Sequence, residues 1–395
     1  MVTVNFFWAK SIMRIANIIE EGKLGGPQVR MVRVASALAD KVHTLVVMPR
    51  ANSKLFIEMC EAHSVPYQTL RLTRITKEFR MALKYLLCSP FEILRLAILF
   101  RREQIDIVHA SGGSWQYKAV IAAWLINIPV VWHLNDTSSP GWVRGVFRRI
   151  QPLASGFIFA SHRSQDYYGD LICPGRPQTV VPSTVDLDYF NPAIVYPLDS
   201  KLPITDQGFV IGTVANVNPI KGIETLIRAA ACLENHGYKL SLVIIGMVTE
   251  RQRGYLRKLL LLAEDLGLSR IHFLGEQGDV RPIMSTFDIY ICSSIAESSP
   301  VAVWEAMSMA RAIVSTDVGD VSRHIKNEVS GFVVQVGDYE AMADKIEFLL
   351  KDPKQRTKLG ENARKAAAYF NPAAIADQSL SAYQNILDAN ASKKF

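Results

Sequence analysis

The sequence has few of the features that would place it outside ordinary globular proteins. Its longest apolar run, residues 119–132, is broken by Asn127 and Pro129 and falls short of the roughly 20 residues a membrane span needs. Five cysteines, at 60, 88, 173, 232 and 292, show no C-x-x-C or other ligand spacing and are odd in number. They speak against a structural zinc site and a disulfide framework, and read as reduced, mostly buried thiols of a cytoplasmic protein. No apolar core followed by a small-residue cleavage site opens the chain, so no signal peptide is expected and residues 1–12 read as an unpacked extension ahead of Met13. A P-loop, H-E-x-x-H and G-x-S-x-G are all absent.

With 395 residues, 49% hydrophobic and 21% charged, the chain can build two cores. Its charge is lopsided. Residues 1–190 hold 22 Lys and Arg against 14 Asp and Glu; subtraction from the totals of 44 and 37 leaves 22 against 23 for residues 191–395. The first half thus carries the excess, which implies an anionic partner for one domain: a membrane surface, a pyrophosphate-bearing acceptor or nucleic acid.

Residues 13–19 read as a first parallel strand, followed by a loop and an amphipathic helix to about Asp40. In that loop Gly25 and Gly26 either let a ligand approach the backbone closely or form a plain turn, and Pro27 can start the helix. Residues 42–48 make a second strand. Residues 55–104 contain helical patterns, with Arg71, Arg74, Lys77, Arg80, Lys84, Arg95, Arg101 and Arg102 among leucines and isoleucines. That pattern fits a packed helix pair with a solvated basic face, or contact with anionic lipid. Strands follow at 105–110 and 129–133. His133, with Asn135 and Asp136 just behind it, opens a loop at the rim that bears Gly25 and Gly26, which makes it structural or an active-site candidate. Asp186 and Asp188 spell D-x-D, a spacing that can hold a metal but that an aspartate cap explains more simply. Residues 191–208 lack periodicity and serve as an interdomain linker. A second alternating series starts at Phe209. In it Lys221, just before a helix, is either a surface lysine or a point charge for a diphosphate.

The second series leads to Glu-Ser-Ser-Pro-Val-Ala-Val-Trp-Glu at 297–305. An apolar strand precedes it and another follows, so it lies at a strand's carboxyl end, where open parallel sheets bind ligands. Ser299 reads as an N-cap and Pro300 as the first helical residue. The helix start offers free amides to a diphosphate, and carboxylates such as Glu297 and Glu305 accept from vicinal hydroxyls. A sugar nucleotide has both groups.

Leu-Gly-Gly-Pro (24–27), Val-Pro-Ser-Thr-Val-Asp-Leu-Asp-Tyr-Phe (181–190), Asn-Pro-Ile-Lys-Gly-Ile-Glu-Thr-Leu-Ile (218–227), the E-x7-E of 297–305 and Thr-Asp-Val-Gly-Asp (316–320) together resemble the retaining glycosyltransferases of family 4. The resemblance implies the GT-B fold, α/β with two Rossmann-like domains facing across a cleft: residues 1–190, then 209–372, with the helix at 373–395 crossing back to the first. It implies an NDP-sugar donor, most simply a UDP-sugar, and transfer of a hexosyl unit to a glycan or lipid-linked acceptor in cell-surface polysaccharide or glycolipid synthesis. No metal and no other cofactor is implied, and nucleic acid is not an expected partner. Glu297 would contact the donor sugar and Glu305 the ribose, while Lys221 and amides around Ser299, Val301 and Ala302 hold the diphosphate. Gly25 and Gly26 would close over the donor, and His133 matches a histidine near the transferred sugar. Asn216 stands where the family usually has an arginine, Ala310 and Ala312 where it has Gly and Pro, and Ser183-Thr184 replaces a common Asn-Gly. The expected location is the inner face of the cytoplasmic membrane, held peripherally. A sugar-nucleotide epimerase and a non-catalytic nucleotide-sugar-binding scaffold are the alternatives.

Overall fold

A computed structural model describes residues 12–74, 79–194, 196 and 208–392, without the side chains of 79–83. The expected extension at 1–12, apart from Ile12, lies outside the described residues, as do Lys77 and most of the expected linker. The described residues form two compact units: those up to Ala160 with Tyr168–Val181 and those from Pro372, and Ser161–Tyr167 with those of Pro182–Asn371.

In chain order the first unit contains β1 (Met13–Ile18), α1 (Gly26–Ala37), β2 (Val42–Pro49), α2 (Lys54–Ala62), β3 (Tyr67–Leu70), α3 (Phe79–Arg102), β4 (Ile107–Ala110), α4 (Tyr117–Leu125), β5 (Val130–Leu134), α5 (Gly141–Ile150) and β6 (Gly156–Phe159). β7 (Gln178–Val180) is its last strand, and α6 (His162–Tyr168), between β6 and β7 in the chain, lies in the second unit except for Tyr168. The seven strands form one parallel sheet in the order β3-β2-β1-β4-β5-β6-β7. Strands such as β2 and β5 are apolar almost throughout because helices cover both faces of a parallel sheet. Within the stretch expected to contain helical patterns, 55–104, α2 and α3 are helices and β3 lies between them. As a four-residue, half-buried edge strand it carries too little alternation to be read from sequence.

The second unit holds β8 (Phe209–Val214), α7 (Ile223–Asn235), β9 (Leu240–Ile245), α8 (Arg253–Asp265), β10 (Ile271–Phe273), α9 (Arg281–Met284), β11 (Ile289–Cys292), α10 (Val301–Ser308), β12 (Ala312–Thr316), α11 (Val321–His324), β13 (Phe332–Val334), α12 (Tyr339–Lys351) and α13 (Pro353–Ala367). Its parallel sheet runs β10-β9-β8-β11-β12-β13. Residues 182–190 group with this unit, not with the first as the sequence boundary had it. Val185 and Phe190 are buried in its core, and the Val185 amide donates to Phe370 O at 2.9 Å. The last helix, α14 (Pro372–Ala391), completes the first unit, where Ile375, Tyr383 and Ile386 pack with Ile15, Ile107 and Val131.

Candidate active site

Each sheet reverses direction once, at β1/β4 in the first unit and at β8/β11 in the second. Connections leave in opposite directions there, and the strands' carboxyl ends open a crevice. In the second unit the loops at that point carry Lys221 and Glu297.

Lys221 ends a short 3-10 turn, Pro219–Lys221, capped by Asn218 and closed by Gly222 at φ +56°. A Cβ on Gly222 would stand 2.2 Å from Ser293 O, so glycine is required by conformation and by space together. The two loops are then laced: the Ile295 amide donates to Ile220 O at 2.7 Å and Ser293 Oγ to Lys221 O at 3.0 Å. From the other side Gly319, at φ +55°, comes so close that a Cβ would meet Ser298 O at 2.2 Å. Thr316 Oγ1 donates to Ser294 O at 2.7 Å. Held at both ends, the loop brings Glu297 Oε1 within 2.5 Å of Lys221 Nζ and 2.8 Å of Ser294 Oγ. Ser294, Gly222 and Gly319 were not singled out as site residues in sequence, although each lies in or beside a stretch that carried the resemblance.

α10 starts at Val301, with Pro300 in the N-cap position and no side chain capping it. Ser299 therefore does not cap the helix as expected. Its Oγ accepts from Trp304 Nε1 at 3.1 Å and from the Ser183 amide at 3.2 Å, fastening the loop instead. The first-turn amides of Val301 and Ala302 have no acceptor within the helix ladder. Glu305 lies one turn further along, half buried. Asn216 lies on the exposed loop after β8, its Oδ1 accepting from the Met247 amide at 3.0 Å. Asp186 is an acceptor for the amides of Asp188 and Tyr189 at 3.1 and 2.9 Å, the geometry of a turn cap.

In the first unit Gly25 precedes α1 in an extended conformation (φ −160°), and a Cβ there would meet Gln28 Oε1 at 3.4 Å. Conformation and packing alone do not demand glycine at that position. His133 is not at an open rim. β5 runs one residue past it, and its side chain, 3% exposed, points into the unit. Arg30 Nη1 lies 3.1 Å from its Nδ1 and His109 Nε2 3.2 Å, while His109 Nδ1 meets Tyr383 Oη at 2.7 Å. Burial, reinforced by the Arg30 charge, holds both imidazoles well below their ordinary pKa, so they are neutral. The His133 Nε2 atom is buried without a hydrogen-bond partner among the described residues.

Beside this network lies a buried charge cluster that sequence reasoning missed. Lys118, 1% exposed, reaches Glu92 Oε2 at 2.5 Å and Glu20 Oε2 at 3.3 Å. Two carboxylates share one cation. Glu92 also accepts from the Thr73 amide and hydroxyl at 2.9 and 3.0 Å, whereas burial pushes Glu20 up to about 7 despite Lys118.

Two parallel-sheet units, with a cation and a carboxylate paired at the switch point of the second, define a two-unit α/β protein with a candidate site there. Comparison with known proteins makes this specific. The family model for Glycosyltransferase Family 4 matches residues 24–189 and that for Glycosyl transferases group 1 matches residues 198–366. The chain belongs to the family 4 glycosyltransferases, and its fold is GT-B. Among relatives, an N,N'-diacetylbacillosaminyl-diphospho-undecaprenol alpha-1,3-N-acetylgalactosaminyltransferase of Campylobacter jejuni is 23% identical over 76% of this chain and 83% of its own length. A D-inositol 3-phosphate glycosyltransferase of Corynebacterium jeikeium is 30% identical over 52% of this chain but only 51% of its own length, and about half the length is typical of the curated relatives matched. Anabaena HepE, solved in complex with UDP-glucose, superposes with a TM-score of 0.81 over 94% of this chain and 100% of that one, at 21% identity. Among the described residues no helix is long and apolar enough to cross a membrane.

Proposed function

We propose that the protein is a retaining glycosyltransferase that moves a hexosyl unit from a UDP-sugar to a glycan or lipid-linked acceptor without a metal ion. The observation that carries this reading is the Lys221–Glu297 pair beside the start of α10. In the bound state Lys221 Nζ turns to the diphosphate, where the amides of Val301 and Ala302 add further donors. Glu297, relieved of its partner, accepts from hydroxyls of the donor sugar, and Glu305 accepts from the ribose. Negative charge grows on the leaving phosphate as the glycosidic bond breaks, and fixed donors aimed there lower the barrier. The acceptor hydroxyl loses its proton to that departing phosphate oxygen and attacks the same face, which retains the anomeric configuration.

The deciding experiment has two stages. Thermal stabilisation by UDP, GDP and ADP selects the base, with about 2.7 kcal/mol expected at a hundredfold over the dissociation constant. Transfer is then assayed in excess chelator, the product's anomeric configuration being read by NMR. Activity lost in chelator and restored by magnesium overturns metal independence, and an inverted product overturns retention.

A further inference from the structure

Donor chemistry leaves one half of α3 unexplained. Its 24 residues make a helix of about 36 Å, and residues 100° apart along it sort into two halves. Tyr85, Glu92, Leu96, Leu99 and Phe100 face inward and are buried. The opposite half bears Leu86, Leu87, Phe91, Leu94 and Ile98, each between 57% and 69% exposed. Such a contiguous row of large apolar side chains is not an ordinary solvated surface. Lys84, Arg95 and Arg102 fall along one margin of the row and Arg101 at its end. That half has no acid, since Glu92, the only one in the helix, is buried against Lys118. The same 2.5 Å bond fixes α3 to α4 from beneath, so the apolar row rides on an anchored element.

We propose that this half of α3 docks on an anionic phospholipid bilayer. The five apolar side chains enter the boundary between headgroups and acyl chains, and Lys84, Arg95 and Arg102 meet the phosphates. Charge complementarity selects the lipid. Two copies packed through this face would bring cations together with no acid to answer them. The inference deepens the proposed function and rests on it in one respect: it makes the acceptor lipid-linked, since the enzyme would work where such acceptors reside.

The test is sedimentation of the full chain with vesicles of phosphatidylcholine containing 30% phosphatidylglycerol, at low salt and at high salt. Leu87→Ser combined with Phe91→Ser should lower the partition coefficient about a hundredfold in both salts. Arg95→Gln with Arg102→Gln should lower it roughly twenty- to thirtyfold at low salt and much less at high salt. In a Phe91→Trp variant, the emission gained over wild type should shift to the blue on vesicle addition. Wild-type partitioning by the Ser variant would overturn the proposal. So would a chain that ignores vesicles but forms a dimer that the Ser substitutions dissolve. UDP release from UDP-glucose in lipid-free solution, measured on the same variants, separates the two claims. Release unchanged with no vesicle binding removes the docking surface alone, whereas vesicle binding by a protein that releases nucleotide from no donor sugar removes the enzymatic reading alone.

Discussion

Lys221 and Glu297 stand 76 positions apart in the chain and 2.5 Å apart in the fold. Each is the other's partner in the structure, and each has a different partner on the donor in the proposed reaction. Lys221→Ala and Glu297→Gln should therefore each lower nucleotide release by about ten- to a hundredfold, the worth of one hydrogen bond to a charged group. The double variant should lose less than the product of the two, because neighbours acting on one ligand couple. Steady-state kinetics on the four proteins check this; effects that multiply cleanly would mean the pair does not share a substrate.

Glu305→Ala should act on binding more than on turnover, since a ribose contact is made equally in ground and transition states. The expected signature is a rise in KM for the donor of about tenfold or more with kcat nearly unchanged. A shrunken thermal shift with free UDP would accompany it, and an unaltered shift would remove Glu305 from the nucleotide site.

Gly222→Ala should destabilise the protein by about 1–3 kcal/mol and also disturb turnover, because the new methyl would collide with Ser293 O in the loop that holds Glu297. Gly237 is the control. It too has positive φ, +89°, but a Cβ there meets nothing within 4 Å, so Gly237→Ala should show the conformational cost without the kinetic defect. Urea midpoints with parallel kinetics distinguish the two.

Much of the second unit is legible in the sequence because its strands are continuous apolar runs and the two glutamates flank a loop-to-helix junction at a strand's carboxyl end. The reading fails where tertiary contact decides. Ser299 looks like a cap, yet Trp304 and Ser183 claim its hydroxyl. His133 looks like a rim residue because nothing local reveals that β5 continues to Leu134. The basic stretch at 71–102 reads as an electrostatic surface, but periodicity cannot show which side of α3 is left open. The Glu20–Lys118–Glu92 cluster joins three distant segments, and no spacing announces it.

Stability should fall below about pH 6.5. His109 and His133 are held neutral with folded pKa values well below the unfolded one, so the unfolded chain takes up protons that the folded chain refuses. Their contribution is present above pH 6.5 and is lost as pH falls, by up to about 1.4 kcal/mol per pH unit for each. Glu20 works the other way: its folded value near 7 exceeds the ordinary 4.5, so its contribution is greatest in acid and is lost as pH rises through about 7. Urea midpoints between pH 5 and 6.5 should then drop less steeply on acidification in His109→Asn and more steeply in Glu20→Gln. Parallel curves for all three proteins would remove these groups from the account.

Because α14 supplies Ile375, Tyr383 and Ile386 to the core of the first unit, that unit is incomplete until the whole second unit has been translated. At about 5–20 residues per second the gap is roughly 10 to 40 s. During that time His109 lacks its Tyr383 partner and the sheet face over Ile15, Ile107 and Val131 stays wet. The nascent first unit is thus a natural client for a chaperone, and a ribosome stalled near residue 371 would hold an open sheet where the full-length chain has a closed core.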